Sequence, residues 1–257
     1  MHSSPVISLP LLYGFLLVLA RIAGIFIFLP LPGFKAGPDA AKVVLSLALT
    51  FALYSRWPTV QPAPASMLQL TGWALMEAGI GLATGLAVAF MIETLLVAAQ
   101  AISTQAGFSF ASMIDPNTEA DSTVLVQIAQ LAAGLLFFAL GLDRRLLSIL
   151  SASLSAHPPG TFAMSQPRVE ALVMLGSGVF NTGLRLVLPL MTLLFLIDLS
   201  IGLLGRVNSQ LQMIAIAFPV KMLVSMGVLS FLLLLAPKLF LQSANSAFGA
   251  LEKVLGF

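Results

Sequence analysis

The chain contains no cysteine. Disulfides and thiolate metal sites are therefore excluded, although this says nothing of the compartment. Charge is nearly as scarce. Of 257 residues only 9% are Asp, Glu, Lys or Arg, and the net charge is +2. Soluble domains carry about 25% charged residues, so little of this surface is suited to water. No basic run exceeds Asp143-Arg144-Arg145, which argues against nucleic acid as a partner. Catalytic signatures are missing as well: there is no His-Glu-x-x-His, no Gly-x-Ser-x-Gly and no Gly-Lys-Ser/Thr phosphate loop. His2 is terminal, and His157 lies in a Pro-rich loop with no carboxylate close in sequence, so it reads as a turn residue. The 11 scattered Met read as adaptable packing, not as metal ligands. The expectation is a protein that is not an enzyme.

What is present is hydrocarbon, 59% of the residues. Several apolar runs approach or exceed the roughly 20 residues that cross a bilayer as a helix. The pattern predicts an all-α integral membrane protein, or part of an assembly that mimics membrane burial, and a single domain over residues 1–257. Residues 1–29 make a poor signal peptide, because no Lys or Arg leads and Arg21 interrupts the apolar run; segment one, Leu11–Leu29, reads as a retained helix. Segment two is Ala40–Tyr54, short for a full crossing. Residues 58–65 form a Pro-rich connector. Segment three, Met67–Gln105, is one very long helix or a helical hairpin. Gly79, Gly81 and Gly85 mark either a bend or the close approach of a neighbour through Gly81-x-x-x-Gly85. Segment four is Val124–Leu142, then a charged knuckle and a short run, Leu146–Leu154. Segment five is Val169–Leu204, with Pro189 inside; segment six is Leu211–Leu235, with Pro219 inside and Pro237 as its stop. The tail, 237–257, places Phe240, Ala244, Phe248, Leu251 and Leu255 on one stripe, an amphipathic helix suited to a surface or a partner. With six crossings, the termini side carries Arg56, Arg144, Arg145, Arg168, Lys238 and Lys253 against Lys35, Lys42 and Arg206, which puts both termini in the cytoplasm.

The stretch Gln105–Pro116 breaks the pattern. A loop between membrane helices is normally polar, yet this one carries Phe108, Phe110, Met113 and Ile114, with Asp115, Glu119 and Asp121 behind them. It reads either as a re-entrant turn that packs the bundle or as a flap that plugs a passage. Gly107 and Pro116 bracket it, one permissive and one fixed.

Arg21, Glu77, Glu93, Arg185, Asp198 and Lys221 lie within or near the ends of apolar segments. A charge at the bilayer centre costs roughly 3 kcal/mol on insertion scales. Thirteen residues separate Arg185 from Asp198, which puts them on different faces, as are Glu77 and Glu93. Partners must come from other helices or other subunits. One reading is structural pairing; the other is a multi-pass solute or ion transporter using Glu77, Glu93, Asp198 and Lys221.

The pattern Gly-x-Ser-Phe-Ala-x-x-x-Asp-Pro stands here as Gly107, Ser109, Phe110, Ala111, Asp115 and Pro116. With Arg21-x-x-Gly24, Pro30, Gly33, Lys42, Pro158, Gly160, Gly202 to Arg206, Gln210-Leu211, Phe218 to Met222 and Gly227, it resembles the FliR/SctT (SpaR, EscT) family of type III export-gate proteins. Two places depart from that family's usual pattern, Leu142-Asp143-Arg144-Arg145 and Ser209. The resemblance implies long tilted helical hairpins in a helical pore assembly with FliP-like and FliQ-like subunits. It implies FlhB-like and FlhA-like components as further partners, unfolded export substrates as cargo, and no cofactor. It places the chain in the bacterial inner membrane, in a flagellar basal body or an injectisome. Gly107, Phe108, Ser109, Phe110, Ala111, Met113, Ile114, Asp115 and Pro116 would be the channel plug, and Arg206 would join the six buried charges as an inter-helix or inter-subunit contact.

Overall fold

Long apolar runs with few internal breakers favour long helices. In the computed structural model, which describes residues 9–29, 39–57, 60, 64–108, 124–158, 160–162, 165–207 and 213–256, there are helices and no strand. The helices are α1 (Leu9–Phe28), α2 (Asp39–Ala52), α3 (Met67–Ala106), α4 (Val124–Ala139), α5 (Leu142–Ala156), α6 (Gln166–Val207) and α7 (Met213–Leu255), with a 3-10 turn at Tyr54–Arg56. The all-α expectation holds. Among the described residues α1, α3 and residues 166–206 of α6 are long and apolar enough to cross a membrane, and α4 with α5 adds a fourth span if that bent pair counts as one. Six crossings were assumed for the charge count; length and composition alone give three or four such spans among the described residues. The 14-residue α2 rises only about 21 Å, short of the roughly 30 Å hydrocarbon core.

Local chemistry explains the boundaries. Ser66 Oγ accepts from Gln69 N at 3.2 Å while Gln69 Oε1 accepts from Ala65 N at 2.8 Å, a side-chain box that starts α3 just past the Pro-rich connector. At the other end Gly107 has φ +85° and Phe108 N donates to Ser103 O at 2.9 Å, the paired geometry of a glycine-terminated helix. Between these caps α3 runs 40 residues without a break, so it is a single helix and not a hairpin. The break falls earlier than expected, at Gly141, φ +67°, where α4 and α5 meet at 64°, and the charged run Asp143-Arg144-Arg145 is the first turn of α5 instead of a knuckle. Pro237 does not stop segment six, because α7 continues through both Pro219 and Pro237. Those two prolines and Pro189 in α6 are all exposed. Proline inside a helix loses one backbone hydrogen bond but does not always end it.

The chain forms two compact units. The first comprises residues 1–90, 137–175 and 244–257. Within it Val18, Ile22, Ile25 and Phe26 of α1 pack with Leu150 and Leu154 of α5. Glycines bring α1 and α3 into backbone contact: a Cβ on Gly81 would fall 1.9 Å from Arg21 O, one on Gly85 2.4 Å from Ile25 O, and one on Gly24 2.5 Å from Ala78 O. Gly79 meets nothing within 4 Å. Of the two meanings of Gly81-x-x-x-Gly85, close approach is the one realised. Phe240, Ala244, Phe248, Leu251 and Leu255 of the tail stripe are all buried. Arg145 on α5 reaches Asn245 Oδ1 at 2.5 Å and Glu252 at 3.6 Å, and its guanidinium covers the Phe248 ring at 5.1 Å. From Ala244 onward the tail's apolar face is thus covered by the chain itself, and no second protein is needed to bury it.

The second unit comprises residues 91–136 and 176–243. Its core joins Ala98, Ile102 and Ala106 of α3, Leu125 of α4, and Val187, Leu190 and Leu194 of α6. Gly183 lets α6 approach α3 closely, since a Cβ there would lie 3.3 Å from Thr94 O.

Candidate functional site

In the first unit a buried ion pair joins α1 to α3. Arg21 Nε donates to Glu77 Oε2 at 2.6 Å, and neither side chain is accessible. The rest of the guanidinium is used too: Nη1 donates to Ser153 Oγ at 3.1 Å and Nη2 to the His157 carbonyl at 2.9 Å. Glu77 Oε1 accepts from Gly160 N at 3.4 Å. Burying two charges is strongly unfavourable unless further donors and acceptors are engaged, and here every guanidinium nitrogen has a partner. His157, read from sequence as a turn residue, does end α5, and its ring also contacts the Leu255 carbonyl and lies edge-on to Phe162. Gly160 is held at φ +85°, where a Cβ would collide with the Trp73 ring at 2.7 Å. Ser153, His157 and Gly160 were missed as site residues. The only sequence signal for them was the Pro158 and Gly160 loop, because a small hydroxyl and a backbone carbonyl leave no pattern.

In the second unit the apolar loop has its root. Gly107 turns the chain out of α3, and the half-buried Phe108 packs on the cluster of Ile102, Ala106, Leu125, Val187 and Leu194. Ser109, Phe110, Ala111, Met113, Ile114, Asp115 and Pro116 lie outside the described residues. One turn before the loop, Gln105 Nε2 donates to Asp198 Oδ2 at 3.3 Å, and Asp198 pairs in turn with Lys221 of α7. The end of α3 is thereby tied to α6 and α7 by a polar contact beside the apolar one.

The other charges are not brought together. Glu93, Arg185 and Arg206 are exposed and make no ion pair among the described residues. Arg185 lies near exposed Leu184 and Leu188 on α6, an outward apolar surface. Among the described residues no group of acidic or His side chains has metal-binding spacing.

Long apolar helices, a glycine-mediated helix contact and charges neutralised between helices define an all-α polytopic membrane protein. Comparison narrows this class. Residues 12–247 match the family described as bacterial export proteins, family 1. The flagellar biosynthetic protein FliR of Escherichia coli (strain K12) is 31% identical over 221 residues, 85% of this chain and 84% of that protein. The protein of the same name from Bacillus subtilis (strain 168) is 28% identical over 218 residues, 82% and 83% of the two chains. This chain belongs to the family of bacterial export proteins, family 1.

Proposed function

We propose that the chain is a component of a flagellar export apparatus in the bacterial inner membrane, and that it contributes an apolar plug to a protein-conducting channel built with FliP-like and FliQ-like subunits. FlhB-like and FlhA-like components and unfolded export substrates are the further partners on this reading. The observation that carries it is the root of the loop. Phe108 is anchored in the α3, α4 and α6 cluster, directly after a positive-φ glycine. One end is therefore fixed while the following residues Phe110, Met113 and Ile114 supply apolar bulk. Apolar constrictions close pores by shedding water and need no charge to do so. Met adds a side chain that deforms around varied cargo. The charges fit a structural role better than a transport pathway. Arg21 and Glu77 neutralise each other, as do Asp198 and Lys221.

Co-purification tests the proposal against the transporter reading. Expressed with its neighbouring genes, the tagged chain should be recovered with two other small membrane proteins and should be unstable alone. A stable monomer or homo-oligomer that binds a solute would contradict it.

A further inference from the structure

A groove of about 490 Å³ runs between α1 and α2, lined by Leu19, Ala23, Phe26 and Ile27 on one side and Lys42, Val43, Ser46 and Leu47 on the other. We propose that it is a binding site for one anionic phospholipid, with an acyl chain along the groove and the headgroup phosphate on Lys42.

Three observations carry this. First, the lining is apolar apart from Lys42 and Ser46, and Ser46 is already engaged. The Ser46 hydroxyl donates to the Lys42 carbonyl at 2.7 Å within its own helix. Lys42 makes no ion pair among the described residues. A single cation at one end of an apolar channel complements an amphiphile with an anionic head; basic pockets between membrane helices are known to hold such headgroups. Second, the depth is right. The 20 residues of α1 rise about 30 Å, the thickness of the hydrocarbon core. In a bilayer crossed by α1 along its length, the C-terminal end at Phe26 and Ile27 would reach headgroup level, and Lys42 shares the groove with those two residues. Leu19 and Leu47 continue the groove toward the bilayer interior. Third, the flanks suit lipid: Ile27, Phe28, Val43 and Val44 are all exposed.

The site does not depend on the plug proposal, and its test reads neither conductance nor secretion. The complex, purified with its partner subunits, is exchanged into micelles containing phosphatidylglycerol or phosphatidylcholine, and bound lipid is counted by native mass spectrometry. One phosphatidylglycerol per copy of this chain should be retained over phosphatidylcholine. Lys42→Gln should lower its occupancy about fivefold, the effect of one Lys at an anionic surface, and Lys42→Arg should restore it. Ala23→Trp, which fills the groove, should abolish retention of both lipids at this site; if that variant fails to assemble, the Lys42 pair decides alone. Equal retention of the two lipids by the wild type, or an unchanged count in Lys42→Gln, overturns the proposal. So does a cross-link from position 43 that captures a helix of a partner subunit in the groove.

Discussion

Arg21 on α1 and Glu77 on α3 are 56 residues apart in sequence, yet Nε and Oε2 lie 2.6 Å apart with both side chains closed to solvent. Two further acceptors, Ser153 and the His157 carbonyl, complete the arginine's contacts. Removing one member leaves the other charged and unpaired in a low-dielectric interior. Arg21→Ala or Glu77→Ala should each destabilise the protein by about 3–5 kcal/mol, whereas the apolar double replacement Arg21→Met with Glu77→Leu should cost far less. Thermal unfolding of the purified complex checks this; equal losses for the single and double variants would contradict it.

The glycines that let α1 approach α3 make a sharper pair. Gly81→Ala places a methyl against the Arg21 carbonyl, which backbone cannot avoid. It should destabilise by about 1–3 kcal/mol or more through overpacking. Gly79→Ala, two residues away in open space, should be neutral or stabilising by about 0.5–1 kcal/mol, because alanine is the better helix residue. Melting temperatures of the two variants decide the matter, and similar losses for both would show that the contact is not tight.

Asp198 and Lys221 are partly exposed and paired between α6 and α7. Their attraction is screened, so neutralising Asp198 with Asn should cost at most about 1 kcal/mol. Reversal is different. Asp198→Lys sets two cations together beside the Gln105 contact, and complex yield should fall; Lys221→Asp in the same chain should recover it. A swapped variant no better than the single reversal would show that the residues do not act as a pair.

Much of the helical frame was legible because apolar composition and helix breakers act locally. Gly107, read as one bracket of the apolar loop, does end α3, whereas the start at Ser66 and Gln69 and the break at Gly141 were not read from the sequence. Pro237 misled for an equally physical reason. A proline inside a helix either kinks it or ends it, and neighbouring packing that the sequence does not spell out decides which. The tail stripe from Phe240 to Leu255 was visible as a stripe, but its cover was not, since Arg145 lies 100 residues from Asn245 in sequence. The same holds for the charges. Arg21 and Glu77 were conspicuous, but which charge meets which is decided by the α1–α3 approach, and Ser153 and His157 gave no signal of their own. Lys42 stood out in the sequence only in the charge count and the family pattern, because a groove is a property of two helices and neither sequence contains it.

The central claim is that the loop rooted at Gly107 and Phe108 keeps a conduit closed to ions. The most direct measurement is the conductance of the assembled complex in a planar bilayer, wild type against a variant lacking residues 108–114 and against Phe108→Ala with Phe110→Ala. The wild type should be silent, the deletion should pass ions steadily, and the double substitution should leak. A deletion complex that retains all its subunits and stays as silent as the wild type would contradict the account.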